Sequence, residues 1–444
     1  MVHFSAKIIQ FNRKAQDMKA SGQVLLIAIP IFFALILIEW AVAYYQGKKV
    51  FRSMDTIASL SSGMTNTLKS AVKLILVVIS YEWVHSKVAI FDIKTTWLVY
   101  LLSFIALDFA SYLHHRLAHS VNIFWNRHVI HHSSEEFNLA CALRQSISGL
   151  VSLSFIFLLP AAILGLSPKV IAIVTPIHLF LQFWYHTKLI GKLGWLEYII
   201  VTPSQHRVHH AINDEYLDKN LSGIFCIWDR LFGTFQEELD EVPCVYGVKK
   251  AVGTWNPVRI NFQHIWQLTK DAWHTKNWLD KIRIWFKPTG WRPADVAEKY
   301  PIEYTIDPAT QVKYYPQLSK NLQRWSWIQY IVTTLFVFHL LLSMGSISET
   351  QLFIYTGFLF SLIYSYTTLM DKNGTAIWFE IGKSLFGFSI IFYLGDWFMI
   401  DRFVTGGTIF VATYLILSVL IVAYFVHFEV KKGELEYNQL DWSN

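Results

Sequence analysis

The sequence predicts an all-α protein, a multi-pass bundle of transmembrane helices that carries a helical cap. Three observations predict this fold. Of the 444 residues, 53% are hydrophobic and only 16% are charged, whereas roughly a quarter of an ordinary globular chain is charged. The apolar residues are gathered into blocks close to the length that crosses a bilayer. One long polar stretch interrupts these blocks and predicts the cap.

The apolar blocks predict about nine membrane spans. A helix needs about 20 mostly apolar residues to cross the hydrocarbon core, and each block approaches that length. The predicted spans are residues 24–45, 71–88, 97–114, 150–166, 170–186, 325–343, 351–370, 377–399 and 409–428. The spans at 150–166 and 170–186 form a hairpin that enters the membrane and returns to the same side.

The order of the spans divides the chain into three predicted regions. Residues 1–186 form a membrane unit, residues 187–324 a polar cap and residues 325–444 a second membrane unit. The positive-inside rule places the cap in the cytosol, because it holds more Lys and Arg than either membrane unit. We therefore expect an integral membrane protein, of the endoplasmic reticulum in a eukaryote or of the plasma membrane in a bacterium. The side of the N-terminus stays open.

The charge and the cysteines bound the class of protein further. The net charge is +6, but the basic residues form no single patch with interleaved aromatic residues, so nucleic acid is not an expected partner. The three cysteines are an odd number without paired spacing. Neither a disulfide framework nor a cysteine metal site is predicted.

Histidine carries the functional signal. Nine of the 17 histidines fall in two short stretches of the chain. Because residues three or four apart share a helix face, these histidines form three groups of neighbours. The groups are His115 and His119; His128, His131 and His132; and His206, His209 and His210. His114 lies about 100° around the helix from His115 and is predicted to be a neighbour of the site.

Topology predicts that the three groups meet. The first begins where the span 97–114 ends, and the second follows nine residues later on the same side. The hairpin returns the chain to that side before the third group. Eight histidines are therefore predicted to converge at the cytosolic mouth of the bundle. His186, at the returning end of the hairpin, is predicted to be a ninth.

Such a cluster predicts a metal centre. Buried imidazoles lose solvation and repel one another when protonated, whereas neutral imidazole is the commonest metal ligand. Each first-row ion takes about four to six ligands, so this number of histidines predicts two ions. Imidazole suits zinc, iron and copper alike. Zinc sites usually have one closed set of four ligands or include carboxylates, and two irons would suit O2 activation and oxidation of a C–H bond.

The three groups resemble the histidine boxes of the fatty acid hydroxylase/sterol desaturase superfamily of membrane diiron oxygenases. The boxes are HRLAH at 115–119, HVIHH at 128–132 and HRVHH at 206–210. DKN at 218–220 and WDRLFGTF at 228–235 resemble its closing signature. Within the superfamily, HHSSEEFN at 131–138, ALRQS at 142–146, QFWYHT at 182–187 and TPS at 202–204 are most similar to the alkylglycerol monooxygenases.

This resemblance implies an activity and its cofactors. It implies two iron ions, O2 and tetrahydrobiopterin as electron donor. The substrate implied is an alkylglycerol or lyso-ether lipid in the membrane. Hydroxylation of the carbon beside the ether oxygen would release a fatty aldehyde and a glycerol derivative.

The position of the boxes supports the same chemistry. Metals at the mouth of the bundle would lie at the depth of the headgroup and the first methylenes, where the carbon beside an ether oxygen also lies. This favours oxidation near the headgroup over mid-chain desaturation. It leaves open a fatty acid, sphingolipid or sterol hydroxylase of the same superfamily. A non-oxidative membrane hydrolase or metal-binding protein is the alternative of another class, although ligands gathered at one face favour chemistry over transport.

Four further residues are candidates for the site. Asp108 shares a helix face with Tyr112, His115 and His119, and a carboxylate inside a span is usually functional. It is predicted to orient a ligating imidazole or to bind a neighbouring helix. Asn220 is a candidate to bind metal-bound water or to cap a turn. Arg144 and Gln145 are candidates to bind the pterin or a polar headgroup, with a structural salt bridge as the alternative.

Overall fold

We analysed a computed structural model of the chain, which describes residues 2–72, 76–77, 80–149, 151–152 and 154–430. The fold is all-α, as predicted. The strand pairing is minor: β1 (Leu76–Val77) runs parallel to β2 (Val151–Ser152). The helices of the first half are α1 (Val2–Tyr45), α2 (Ser53–Ala71), α3 (Tyr81–Val88), α4 (Trp97–Ser120), α5 (Asn122–Trp125), α6 (Val129–His132), α7 (Ser154–Phe157), α8 (Leu159–Ile163) and α9 (Pro168–Leu181).

The second half of the chain contains the short helices of the cap and four long helices. They are α10 (Pro203–His210), α11 (Ile227–Phe232), α12 (Pro257–His274), α13 (Trp278–Arg283), α14 (Ala294–Lys299), α15 (Lys320–Ser343), α16 (Glu349–Met370), α17 (Ala376–Leu394) and α18 (Gly407–Phe425). Side chains set several helix starts. Ser319 caps α15, and Ser348 forms a reciprocal capping box with Gln351 at the start of α16.

Six helices of the described residues are long and apolar enough to cross a membrane, fewer than the nine predicted. They are Gly22–Tyr45 within α1, α4, α15, α16, α17 and Gly407–Val430, which extends α18. The membrane character and the helical bundle are thus confirmed, and the predicted number of spans is not.

The three predicted spans that form no such helix are 71–88, 150–166 and 170–186. The first contains β1 and the eight-residue helix α3. The second contains α7 and α8, with four and five residues. The third gives α9, whose 14 residues include Pro176 and reach only about 21 Å. Apolar runs of this length commonly form buried or re-entrant segments, and hydropathy by itself does not separate these from spans.

The helix α2 connects the two halves of the molecule. It is rich in Ser and Thr, and most of its residues are buried. It packs against α15 on one side and against the turn at Cys141–Leu143 on the other. Ser61 of α2 also hydrogen-bonds Tyr366 of α16, with 2.5 Å between the hydroxyl oxygens. Through α2, the helices α15 and α16 therefore support the chain that follows the second histidine box.

The cap closes over the end of α4. Its longest helix, α12, packs against α6. Two buried asparagines support this contact: the side-chain oxygen of Asn126 accepts from the Ile265 amide at 2.8 Å, and that of Asn261 accepts from the Ile147 amide at 2.9 Å. The second histidine box is thereby held between α4 and the cap.

Candidate metal centre

Nine histidines come together at the end of α4 in two groups, each of which can hold a metal ion. We name these groups site A and site B. Within each, the candidate ligand atoms all lie within 4.8 Å of one another. Site A consists of His115, His119, His128, His132 and His209, and site B of His131, His186, His206 and His210.

The two HxxHH boxes divide between the sites in a reciprocal way. His128 and His132, four residues apart, both lie in site A, whereas His131 lies in site B. In the third box, His206 and His210 lie in site B, and His209 lies in site A. Because adjacent residues point about 100° apart on a helix, each box contributes to both sites. The sites are in contact: the rings of His132 and His210 stack with centroids 4.4 Å apart.

The distances between imidazole nitrogens fit first-row metal ligation. In site B, Nε2 of His206 lies 2.9 Å from Nε2 of His186 and 3.1 Å from that of His210. In site A, the Nε2 atoms of His119 and His132 are 3.2 Å apart. Neighbouring nitrogens bound to one ion at about 2.1 Å would be about 2.9–3.4 Å apart, given tetrahedral or octahedral angles. These three separations fall in this range, and the 2.7 Å between the Nε2 atoms of His115 and His128 in site A is slightly shorter.

Burial keeps three rings of site B in the form that binds metal. Loss of solvation lowers the pKa of His131 to about 4, and lowers the pKa values of His206 and His210 well below their usual value. The rings are therefore neutral near pH 7, and each retains a nitrogen lone pair. The buried Nε2 of His209 has no hydrogen-bond partner within the described residues, as expected of an atom that faces an ion.

The segment after the third box orients three of the five histidines of site A. The Nδ1 atom of His115 lies 2.7 Å from the Leu221 carbonyl oxygen, and that of His209 lies 3.0 Å from the Lys219 carbonyl oxygen. The Nδ1 atom of His119 lies 3.1 Å from Oδ1 of Asp218. A carbonyl or carboxylate oxygen accepts a hydrogen bond from Nδ1–H, which leaves the Nε2 lone pair directed at the site.

Two buried aspartates hold this segment in place. Asp229 accepts from the amides of Leu221 and Ser222 at 2.7 and 3.0 Å. Asp108 of α4 accepts from the amides of Ile224 and Phe225 at 2.8 and 3.0 Å. The Asp108 carboxylate also hydrogen-bonds Trp228 Nε1 at 2.9 Å and His178 Nε2 at 2.7 Å.

Gly223 lies between the two pairs of amides that these aspartates bind, and it permits the chain to approach α4 closely. A Cβ atom there would lie 3.0 Å from Oδ1 of Asp108 and 3.4 Å from the His178 ring. Both contacts are tight against groups that are themselves buried and hydrogen-bonded. The chain therefore passes α4 at a distance that suits glycine.

The structure does not bring Asp108 to a box histidine, as one of the two sequence interpretations expected. Its described hydrogen-bond partners belong to α9 and to the segment 224–228, so it acts on the site through that segment. His178 was not predicted, since a lone histidine in an apolar helix carries no ligand spacing. The roles of Asp218 and Asp229 were also not predicted, although both belong to the closing signature.

Asn220 and Arg144 have structural partners. Asn220 has the left-handed φ of 52°, and its side chain donates to the carbonyl oxygens of Gln205 and Gln236. It therefore joins its own segment to those of Gln205 and Gln236. The buried Arg144 guanidinium donates to Asp55 at 2.6 Å and to the hydroxyls of two serines, which matches the salt-bridge alternative.

Arg144 still contributes to the site through its backbone. Its carbonyl oxygen lies 3.3 Å from Nδ1 of His131. Gln145 is exposed and lies in the wall of a cavity beside the site, so its predicted contact with a ligand stays a prediction. His114 belongs to neither site and lines the same cavity.

This cavity of about 660 Å³ connects the histidines with the membrane-crossing helices, and we name it the lipid-side cavity. Apolar residues of α1, α9 and α15 form one part of its wall. His115, His128, His131, His186 and His206 form another part. Polar residues near the histidines complete it: Asn66, Thr67, Arg127, Gln145 and Ser146. The cavity therefore connects an apolar wall on these helices with the histidines.

The fold and the site define a class of protein: an integral membrane protein whose buried histidine centre can hold two metal ions beside an apolar cavity. Residues 100–234, which contain all three boxes, match the fatty acid hydroxylase family. No solved structure matches the chain.

Curated relatives extend the likeness beyond the boxes. Human alkylglycerol monooxygenase is 33% identical over 361 residues, covering 81% of this chain and 80% of the human protein. The zebrafish (Danio rerio) alkylglycerol monooxygenase is 34% identical, covering 80% and 79%. An ornithine lipid hydroxylase of Rhizobium tropici is 27% identical over 30% of this chain and 41% of its own length. The chain belongs to the fatty acid hydroxylase family and groups with the alkylglycerol monooxygenases; it is an oxidoreductase, a monooxygenase of this family.

Proposed function

We propose that this protein cleaves the O-alkyl bond of alkylglycerols and lyso-ether lipids, with two iron ions at sites A and B and with tetrahydrobiopterin as electron donor. The observation that carries the proposal is the lipid-side cavity, which joins an apolar wall on α1 and α15 to five histidines of the two sites. The relatives named alkylglycerol monooxygenase support the substrate class. The larger basic content of the cap supports a centre on the cytosolic face.

The cavity suits an ether lipid in both of its parts. The alkyl chain would lie against Leu25, Ile29 and Phe32 of α1, where burial of each methylene contributes about 0.8 kcal/mol. The glycerol would lie among the polar residues near the histidines, within reach of Gln145 and Asn66. This orientation places the first carbon of the chain, beside the ether oxygen, next to the histidines.

The reaction follows from that placement. Activation of O2 is the chemistry that two irons supply when they are bound by these histidines. The ether oxygen weakens the adjacent C–H bond, so hydroxylation is favoured at that carbon. The product is a hemiacetal, which collapses to a fatty aldehyde and a free glycerol hydroxyl. The chain's own contribution is to hold the lipid in register and to exclude water with apolar walls.

Aldehyde release tests the proposed reaction. Purified protein loaded with iron is expected to release hexadecanal from 1-O-hexadecylglycerol, in a reaction that needs O2 and tetrahydrobiopterin. The matched control is the 1-acyl ester with the same chain, which is expected to give no aldehyde. Iron-loaded, folded protein that releases none from the ether would contradict ether cleavage, and hydroxylated fatty acid, sphingolipid or sterol products would then identify another reaction of the family.

The apolar wall is expected to set the length of the alkyl chain. Ala28 of α1 lines the lipid-side cavity, so Ala28→Trp would shorten it. We expect turnover of a hexadecyl ether to fall at least about tenfold and turnover of a decyl ether to change less. The reason is that only the longer alkyl chain would collide with the new indole ring. Leu37→Trp is the control, since Leu37 lies on the same helix and is 61% exposed. An equal loss for both chain lengths would contradict this placement of the chain.

A further inference from the structure

A second cavity approaches the metal centre from the cap. It has a volume of about 310 Å³, and we name it the cap-side cavity. Three histidines of site A, His119, His132 and His209, form its inner end. Among the described residues, it shares no lining residue with the lipid-side cavity. The centre is therefore reached by two separate routes, one from the membrane-crossing helices and one from the cap.

The two routes differ in chemistry. The lipid-side cavity has an apolar wall on membrane-crossing helices, whereas the cap-side cavity combines apolar side chains with charged, amide and aromatic ones, most of them from the segment between α9 and α15. Lys249, Lys250 and Arg292 are opposed there by Asp218 and Asp271. The charged and amide groups of this wall suit a polar ligand from the aqueous side.

Aromatic rings and hydrogen-bond acceptors equip the cavity for a flat ligand rich in N–H groups. Trp125 lies between the cavity and site A, with its ring 5.2 Å from that of His119, and Trp291 also lines the cavity. Gln263 donates its amide to the Val252 carbonyl oxygen, which leaves its own side-chain oxygen as an acceptor. Nε2 of His264 donates a hydrogen bond to the Asn122 backbone carbonyl oxygen at 3.0 Å. Nδ1 of the same ring is therefore a second acceptor.

We infer that the cap-side cavity is the site that binds the reduced pterin of the proposed function. The inference rests on the proposed function, in which such a donor is required. Oxidation of a C–H bond by O2 incorporates one oxygen atom and releases the other as water. The two electrons and two protons that balance this step come from the tetrahydropterin, which becomes a dihydropterin.

Position and size support this assignment. A donor in the cap-side cavity would touch three imidazoles of site A while the lipid occupies the other side of the centre. Donor and substrate would then bind together without competing for space. The volume of about 310 Å³ is at the lower end of the roughly 300–1,000 Å³ typical of small-molecule sites. It suits a bicyclic ring with a short side chain, and a protein donor would need an exposed surface instead.

Direct binding tests the inference without relying on turnover. The probe is radiolabelled oxidised biopterin, measured by equilibrium dialysis against iron-loaded protein in detergent. Ala251 lines the cavity and is exposed, so Ala251→Trp is expected to weaken biopterin binding at least about tenfold. Gln263→Leu, which removes an acceptor, is the second variant and is expected to weaken binding in the same direction. The KM for tetrahydrobiopterin is expected to rise in parallel, with the KM for the lipid unchanged.

Two controls separate this inference from the proposed function. Ala294→Trp places the same side chain on an exposed position of α14 outside the cavity, and its biopterin affinity is expected to equal that of the parent. Ala28→Trp in the lipid-side cavity is expected to change lipid turnover and not biopterin affinity. Parent protein that binds no biopterin, or Ala251→Trp and Gln263→Leu variants that bind it normally, would overturn the inference. Failure of ether cleavage with biopterin binding lost in both variants would instead contradict the proposed substrate alone.

Discussion

Replacement of His131 by alanine is expected to abolish turnover and to lower the metal content from two ions to one or none per chain. His131 belongs to site B, and its Nε2 lies 3.1 Å from that of His210 and 3.4 Å from that of His186. Loss of a residue that only supports a ligand commonly costs 10–100-fold in metal affinity or activity. Loss of a ligand should therefore exceed about 100-fold. Elemental analysis and the aldehyde assay, on the same preparation, measure both quantities.

The control for this prediction is His114→Ala. His114 is adjacent to a site A histidine in sequence but belongs to neither site. His114 lines the lipid-side cavity, so its replacement can change turnover of the lipid. The metal content of the His114→Ala variant is expected to stay at two ions per chain. Retention of full turnover and two ions by His131→Ala would show that the metal centre is assigned to the wrong residues.

Replacement of Asp108 by alanine is expected to destabilise the protein by about 3–5 kcal/mol and to release metal from site A. The substitution leaves two buried backbone amides, of Ile224 and Phe225, without their acceptor. Each unsatisfied buried donor costs about 1–3 kcal/mol, and the bonds from Trp228 and His178 are lost as well. The segment 218–225 then no longer holds the histidines of site A in register.

Thermal unfolding and metal content of the detergent-purified protein measure this effect. Asp108→Asn keeps one acceptor oxygen and is expected to be less destabilised than the alanine variant. Asp92→Ala, at an exposed position before α4, is the matched control and should unfold like the parent. An Asp108→Ala variant with the parent's stability and two bound ions would refute the positioning role of this carboxylate.

The sequence predicted which histidines lie together, but it did not predict the number of membrane-crossing helices. Helix spacing identified the eight box histidines, and the hairpin placed His186 beside them; the structure brings all nine together. Hydropathy predicted nine spans, but six helices of the described residues are long and apolar enough. Apolar composition reports that a segment avoids water, and a segment folded against other helices avoids water as well as one that crosses the bilayer. The length of the continuous helix decides between the two.

Long-range partners explain the remaining differences. Arg144 is paired with Asp55, which lies 89 residues earlier in the chain. No local sequence pattern indicates that contact. Asp108 reaches the site only through the segment 224–228, which lies more than 100 residues later. In both cases the sequence showed a charged group in an apolar setting, which requires a partner, without showing which partner it has.

The sequence by itself determined the membrane character, the helical class and the nine histidines, because hydropathy and residue spacing along a helix are local properties. Only the tertiary structure decided how these histidines divide between two sites, with His131 and His209 each crossing from its own box to the other group. It also decided that two separate cavities reach the centre, one from the membrane-crossing helices and one from the cap. These features depend on the relative orientation of α4, α6 and α10, which packing between distant segments sets.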